Sequence, residues 1–224
     1  MSALQWLAGE IGRRKKTGRP LKVAIDGRCA SGKTTLADAL APLVHAHGFE
    51  ALRPSVDGFH HPRAHRYRQG EYSAAGYYED AFDYGAIVAH LLKPLSGDEF
   101  PAACRHASHD VRTDVAADAS ILVSSETVLL FDGVFLFRRE LNAYWDFRIL
   151  VHVDAKTSIA RAVARDFDGT GAIETIRRKY EQRYEPAWLM YEALEEPVRK
   201  ADVIVDNENV AQPRFVKGGV TRQA

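Results

Sequence analysis

Leu21-Lys22-Val23-Ala24-Ile25-Asp26-Gly27-Arg28-Cys29-Ala30-Ser31-Gly32-Lys33-Thr34-Thr35-Leu36 is the stretch from which the rest of the chain can be read. It opens as a short apolar run and closes on residues with helical spacing. Between them, from Gly27 to Thr34, lies the pattern G-x-x-x-x-G-K-[ST]. A strand that turns into a helix through this pattern aims backbone N–H groups inward, around a chain of phosphates. The helix N-terminus adds a partial positive charge at the same place. Gly27, Ala30, Ser31, Gly32, Lys33, Thr34 and Thr35 are therefore expected to hold the phosphates of ATP. Lys33 supplies a full charge for the β- and γ-phosphates, and Thr34 a hydroxyl for Mg²⁺. Cys29, inside the loop, reads as a small filling side chain.

Working outward, Leu36, Leu40, Leu43 and Val44 share one face of a helix predicted over 33–47, stopped by Gly48. Upstream, Leu4, Leu7 and Ile11 mark a short amphipathic helix over 2–14, followed by the linker Thr17-Gly18-Arg19-Pro20. Downstream, strands are expected over 50–56, 127–131, 147–153 and 201–205. Each is followed by an acid, Asp57, Asp132, Asp154 and Asp206, as the first strand, over 21–25, is followed by Asp26. Helices are expected over 82–95, 155–166 and 172–193. The segment 58–80 is crowded with His, Arg and aromatic residues without a clean period, and reads as a functional loop. Residues 100–120 read as a hairpin or an irregular excursion, and the tail from about Gln212 as frayed.

Strands alternating with helices imply an α/β fold, a parallel sheet of the P-loop nucleotide-hydrolase type with helices on both faces. A lid and a small acceptor-side hairpin or loop complete it. The expected division is an N-terminal helix and linker over 1–20, one catalytic domain over 21–211 with a lid at about 166–178, and a flexible tail over 212–224. Ligands in such sheets bind at the carboxyl ends of the strands, where the acids sit.

Composition sets the outer bounds. The chain has 224 residues, 46% hydrophobic and 27% charged, which fits one globular domain. Thirty basic residues balance thirty acidic ones, so no nucleic-acid partner is expected. Two cysteines are too few for a disulfide scaffold and point to a reducing cytosol. The longest apolar runs, such as Val128–Phe131, are too short to cross a bilayer. The basic run Arg13–Lys16 follows the first apolar residues, the reverse of a signal peptide. A cytoplasmic protein without membrane partners is expected, with its oligomeric state left open.

Two acids carry the chemistry. Mg²⁺ takes few protein ligands and keeps several waters, so Thr34 and one strand-end acid suffice. Asp132 closes the most apolar strand and reads as that acid. Asp57 sits beside the polar aromatic segment, where a carboxylate could orient an attacking hydroxyl and accept its proton. Both positions also fit simple Asp-Gly turns.

The stretches VAIDGRCASGKTTLADAL, SVDGFHHP, YYEDAFDY, VLLFDGVFLF and RAVARDF…IRRKYEQRYEPAWLMYEALEEPVRKADVIVDN span residues 21–207. In this order they resemble the uridine kinase, phosphoribulokinase and pantothenate kinase group of P-loop kinases, and bacterial uridine kinase-like proteins in particular. The resemblance implies phosphoryl transfer from ATP with Mg²⁺ to a small-molecule acceptor. It places the catalytic base on Asp57 and the metal acid on Asp132. Three departures stand out. Asp replaces the usual Glu at 132. His109-Asp110-Val111-Arg112 replaces the aromatic motif that grips a nucleoside, leaving Asp110 and Arg112 to hydrogen-bond a sugar. Asp168-Gly169-Thr170-Gly171 replaces an Arg-bearing lid, leaving Arg165, at the end of the preceding helix, as the expected catalytic arginine.

Asp57-Gly58-Phe59-His60 is closer to the pantothenate kinase pattern and keeps non-nucleoside acceptors open. His60, Arg63 and Tyr78 are expected on the acceptor side, Tyr78 as a ring to stack on a base or as core. A nucleoside such as uridine or cytidine is the leading acceptor, with pantothenate-, sugar- or sugar-phosphate-like molecules as the alternative. A nucleotide-binding switch without an acceptor is the third reading. It leaves Asp57 and the lid arginine without a purpose, and no Asn-Lys-x-Asp motif for guanine occurs.

Overall fold

Runs of β-branched and aromatic residues, buried on both faces, set the sheet in the computed structural model, which describes residues 2–166, 173–210 and 213–217. The N-terminal half contains α1 (Ala3–Arg14), β1 (Leu21–Gly27), α2 (Lys33–Ala46), β2 (Glu50–Leu52), α3 (Arg63–Arg66), α4 (Ala74–Asp80) and α5 (Tyr84–Ile87). An excursion follows, formed by β3 (Ala102–Arg105), β4 (His109–Asp110), β5 (Val115–Ala116) and β6 (Ser120–Val123). The chain then adds β7 (Thr127–Gly133), α6 (Arg139–Asn142), β8 (Phe147–His152) and α7 (Ala155–Asp166). Last come α8 (Ile173–Lys179), α9 (Glu185–Glu195), α10 (Pro197–Lys200), β9 (Val203–Asp206) and β10 (Arg214–Lys217).

The main sheet has the order β10-β9-β8-β1-β7-β2. All pairings in it are parallel except β10 with β9. Every residue of β1 and β7 is buried. Their side chains alternate between two cores. Val23, Ile25, Val128 and Leu130 face α1 and α2, meeting Leu7, Ile11, Leu40 and Val44. Ala24, Leu129 and Phe131 face the other way, toward Phe59, Phe82, Trp188 and Tyr191. An α/β sheet covered on both faces is what the alternation predicted. Among the described residues no helix is long and apolar enough to cross a membrane.

Several expectations are corrected. The second strand stops at Leu52, because Pro54 has no N–H to continue a ladder. Ser55 makes one isolated bridge to Asp132, and Val56–Phe59 closes a 3₁₀ turn whose entry Ser55 caps by accepting from the Asp57 amide. Asp57 therefore rides on a turn. The segment 58–80 is no open loop. Its aromatic residues give it a packed interior, with Phe59, Tyr77 and Tyr78 buried and α3 and α4 formed within it. The helix expected over 82–95 breaks into α5, a π turn (Val88–Leu92) and a 3₁₀ turn (Pro94–Ser96). The segment 100–120 does form antiparallel ladders, β3 with β6 and β4 with β5. Within the supposedly frayed tail, Arg214–Lys217 pairs with β9, and the Phe215 ring meets Trp6 of α1 at 4.6 Å. The lid residues Asp168, Gly169, Thr170 and Gly171 lie outside the described residues.

Candidate active site

The turn after β1 shows why its sequence is so constrained. Gly27 has φ +157°, and a Cβ there would stand 2.4 Å from the Val151 carbonyl of neighbouring β8. The loop then rises over the sheet edge and enters α2. Lys33 Nζ rests on the Arg28 carbonyl at 2.5 Å, its single hydrogen-bond partner among the described residues. An ammonium on the wall of a cleft, hydrogen-bonded to a single loop carbonyl, is suited to meet a polyphosphate. Ala30, Gly32, Lys33, Thr34 and Thr35 line that cleft, which holds about 970 Å³. Ser31 is buried beneath the loop.

Thr34 Oγ1 donates to Asp132 Oδ2 at 2.6 Å. The register of β7 against β1 delivers this acid, opposite Ile25 and one residue short of Asp26. A hydroxyl and a carboxylate in contact, at the phosphate end of the cleft, form the sparse oxygen set that Mg²⁺ accepts. Among the described residues no trio of His, Cys, Asp or Glu forms a denser metal cage. Arg53, which sequence reasoning missed, fixes Asp132 from behind. Its Nη1 donates to the Leu130 carbonyl at 2.9 Å and lies 3.3 Å from Asp132 Oδ1, while Nη2 reaches Asp38 at 2.7 Å. No local pattern in the sequence announces an arginine that acts across 79 residues.

Asp57 faces the same cleft. Its side chain is 71% exposed, but that exposure is to the interior of the cleft, whose walls keep bulk water away. That loss of bulk water pushes its pKa up, while Lys33 and Arg165 pull it down. Arg165 lines the cleft as expected, but it is not free. It forks onto Asp166 at 2.6 and 3.0 Å and lies 3.4 Å from the Tyr180 hydroxyl. Arg161 lines the cleft too and donates to the carbonyls of Asn207 and Glu208.

Helix α9 braces the phosphate loop from below. Arg28 reaches Glu185 at 3.1 Å and Glu192 at 3.4 Å, and lies over the Trp188 ring at 5.4 Å. The Tyr191 hydroxyl donates to Asp26 Oδ2 at 2.5 Å, and the Gly27 amide donates to Oδ1 at 2.7 Å. Burial nevertheless raises the Asp26 pKa from 3.8 to about 6. Asn207 Nδ2 donates to the Ser31 carbonyl at 2.7 Å, and Ser158 Oγ to the Cys29 carbonyl at 2.7 Å. Cys29 is held as a neutral thiol by burial, with Tyr77 Oη 3.4 Å away, which agrees with a filling role.

On the acceptor side the outcome is mixed. His60 and Arg63 line the cleft. Burial, with Arg66 nearby, lowers the His60 pKa to about 4, so the ring is neutral at pH 7. Tyr78 does not reach the cleft. It is core, under the Arg138 guanidinium at 4.0 Å and edge-on to Phe135. Its neighbour Tyr77 lines the cleft instead. Asp110 accepts from the amides of Arg112 and Thr113 and pins the hairpin turn, while the Arg112 side chain stays outside the cleft wall. Only Val111, between them, lines it. Reach across a two-residue ladder decided which side chain points inward, and the sequence holds no register for that turn. Sequence reasoning also missed Tyr67, Lys179 and Arg183, which line the acceptor wall beside Arg66 of the basic segment 58–80.

The model of the phosphoribulokinase / uridine kinase family matches residues 23–212. The chain belongs to this family. Membership makes it a kinase. Uridine-cytidine kinase B of Dictyostelium discoideum is 28% identical over 192 residues, covering 83% of this chain and 74% of the relative. A possible uridine kinase from Bacillus stearothermophilus superposes with TM-score 0.70 at 26% identity, over 90% of this chain and 96% of the other. D-glycerate 3-kinase from Cryptococcus neoformans shares the fold at TM-score 0.64 and 13% identity, over 96% and 99% of the two chains. Helix α1 lies outside the matched residues.

Proposed function

We propose that this kinase transfers the γ-phosphoryl group of ATP to a hydroxyl of a small polar molecule. The observation that carries this reading is one cleft lined by Lys33, Thr34 and Asp132 at one end and by Asp57 further along. The loop from Gly27 to Thr35 holds the phosphates. Thr34 and Asp132 would hold Mg²⁺, which would supply positive charge to offset that of the phosphates. The acceptor hydroxyl attacks the γ-phosphorus, the bond to the β-phosphate oxygen breaks, ADP leaves, and the hydroxyl proton passes to the Asp57 carboxylate. Arg165 supplies positive charge where it builds on the moving group. The base of the donor lies toward Leu4, Asn207, Val210 and Pro213, which extend the same cleft. The names of the relatives support a nucleoside such as uridine or cytidine as acceptor. The basic wall around Tyr67 supports a non-nucleoside one.

Asp57→Asn tests the reading. The maximal rate is expected to fall by roughly 10²–10⁴-fold while the KM for ATP moves little. Because the carboxylate must be ionised to accept a proton, its raised pKa places the acid limb of the rate profile above the ordinary carboxylate value of 3.8. That limb should vanish in the variant. Equal losses in rate and in ATP affinity would remove Asp57 from the chemistry.

A further inference from the structure

Four cations gather around one ring on the acceptor wall. The guanidinium carbons of Arg183, Arg63 and Arg66 lie 4.8, 5.0 and 5.6 Å from the centroid of Tyr67, and Lys179 Nζ lies 6.0 Å away. All five residues line the cleft that contains Lys33 and Asp57. An aromatic face attracts one cation well, but it cannot offset the mutual repulsion of four in a half-enclosed space.

The carboxylates in reach are already committed. Asp114 serves Arg66 at 3.2 Å, and the same oxygen accepts from His109 and from the Arg63 amide. Asp166 is taken by Arg165, and Asp132 by Thr34 and Arg53. Asp57 faces the reacting hydroxyl. Arg183 spends its N–H groups on the carbonyls of Arg66, Gly70, Glu71 and Ser73, which order the wall but cancel no charge. Among the described residues, neither the Arg63 guanidinium nor the Lys179 ammonium has a carboxylate partner. Arg66 adds an independent sign. Its side chain is only 9% exposed, and its buried Nε has no hydrogen-bond partner. A protein does not ordinarily assemble a buried guanidinium with an unpartnered Nε next to two cations that have no carboxylate unless an anion completes the set.

We infer that the acceptor carries an anionic group, a phosphate monoester or a carboxylate, seated among Arg63, Arg66 and Lys179 beside Tyr67 while its hydroxyl faces Asp57. This rests on the phosphoryl-transfer reading and names the class of acceptor for it. A neutral nucleoside leaves the cations of the wall unmatched. An acceptor with a charge of −1 or −2 matches them and is drawn to the cleft over a distance set by salt.

The test has two arms. The first measures acceptor-stimulated ADP release with ribose 5-phosphate, ribulose 5-phosphate, D-glycerate and pantothenate, set against uridine, cytidine and ribose. At least one acidic acceptor should exceed every neutral one tenfold or more in kcat/KM, and which acid wins separates phosphate from carboxylate. Arg63→Gln and Lys179→Gln should each raise the KM for that acceptor about tenfold, and added salt should raise it further. The KM for ATP should stay within twofold. The second arm titrates inorganic phosphate by calorimetry, with Mg²⁺ and a non-hydrolysable ATP analogue saturating the phosphate loop. Both variants should weaken its binding. Uridine or cytidine outperforming every acid, or phosphate affinity unchanged by both variants, would overturn the inference. Phosphate binding that both variants weaken, with no acceptor turned over, supports the anion site and sinks the transfer reading instead.

Discussion

Asp26 shows how much one side chain at the base of the phosphate loop can set. It is fully buried, holds the Gly27 amide and accepts from Tyr191, and still titrates near pH 6. The sign follows from linkage. Between pH 3.8 and about 6 the folded protein holds a proton that the unfolded chain has released, so stability falls as pH rises through that window and levels off above it. The displacement is worth on the order of 3 kcal/mol. Asp26→Asn should abolish that slope. Its amide can accept from the Gly27 N–H and donate to Tyr191, so any change in hydrogen bonding is an offset independent of pH. Melting curves of the two proteins from pH 3.5 to 7.5 should therefore converge or cross within the window. Parallel curves would mean that Asp26 is ionised throughout. The sequence marked Asp26 only as an acid after a strand. Its partner Tyr191 stands 165 residues away, and no spacing rule reports such a pair.

At the scale of elements, the strands that place the acids were legible because apolar runs ending in Asp-Gly have few other uses in an α/β chain. The approach to Asp57 was not legible as drawn. Pro54 ends β2, and the chain turns under β7 before presenting the carboxylate. That turn depends on Gly133. A Cβ at Gly133 would stand 2.6 Å from both Cβ and Cγ1 of Val56, the residue before Asp57. Gly133→Ala must displace either β7 or the turn, at a cost of about 1–3 kcal/mol. We expect a lower melting temperature and a lower maximal rate together, because the displaced turn carries Asp57, the proposed base. A rate equal to wild type in a stably folded variant would show that the Asp57 turn is not held in place by β7. Helix α1 gives the complementary case. It was legible from Leu4, Leu7 and Ile11, but not its place along the cleft, since a helix ahead of the motifs carries no sign of what it packs beside. Leu7 and Ile11 are core, whereas Leu4 is half-buried and lines the cleft. Leu4→Ala should raise the KM for ATP severalfold with little change in melting temperature, and an unchanged KM would place the base elsewhere.

Across the whole molecule, the phosphate loop ties the two cores together. Its amino end rests on Asp26 and α9 on one face of the sheet, and its carboxyl end begins α2 on the other. The resemblance read from the ordered motifs reached this far, because motif order preserves the order of strands. Of the acceptor wall it reached His60 and Arg63 but not the set as a whole, whose residues come from α3, Tyr67 just after it, α8 and the π turn Tyr180–Tyr184, and meet only in the folded chain. A ligand at a junction of this kind should stabilise both cores at once. Mg·ATP binds the folded form and not the unfolded chain, so at a hundred times its dissociation constant it adds about 2.7 kcal/mol. For a chain of 224 residues that corresponds to a rise of roughly 5–10 °C in melting temperature. Lys33→Ala removes the ammonium whose only hydrogen-bond partner among the described residues is a loop carbonyl, so the apo protein should melt near the wild-type temperature. Its ligand-induced rise should shrink to a small fraction. A variant that melts normally but still gains the full rise would show that the nucleotide does not depend on this loop, and the assignment of the cleft would fall with it.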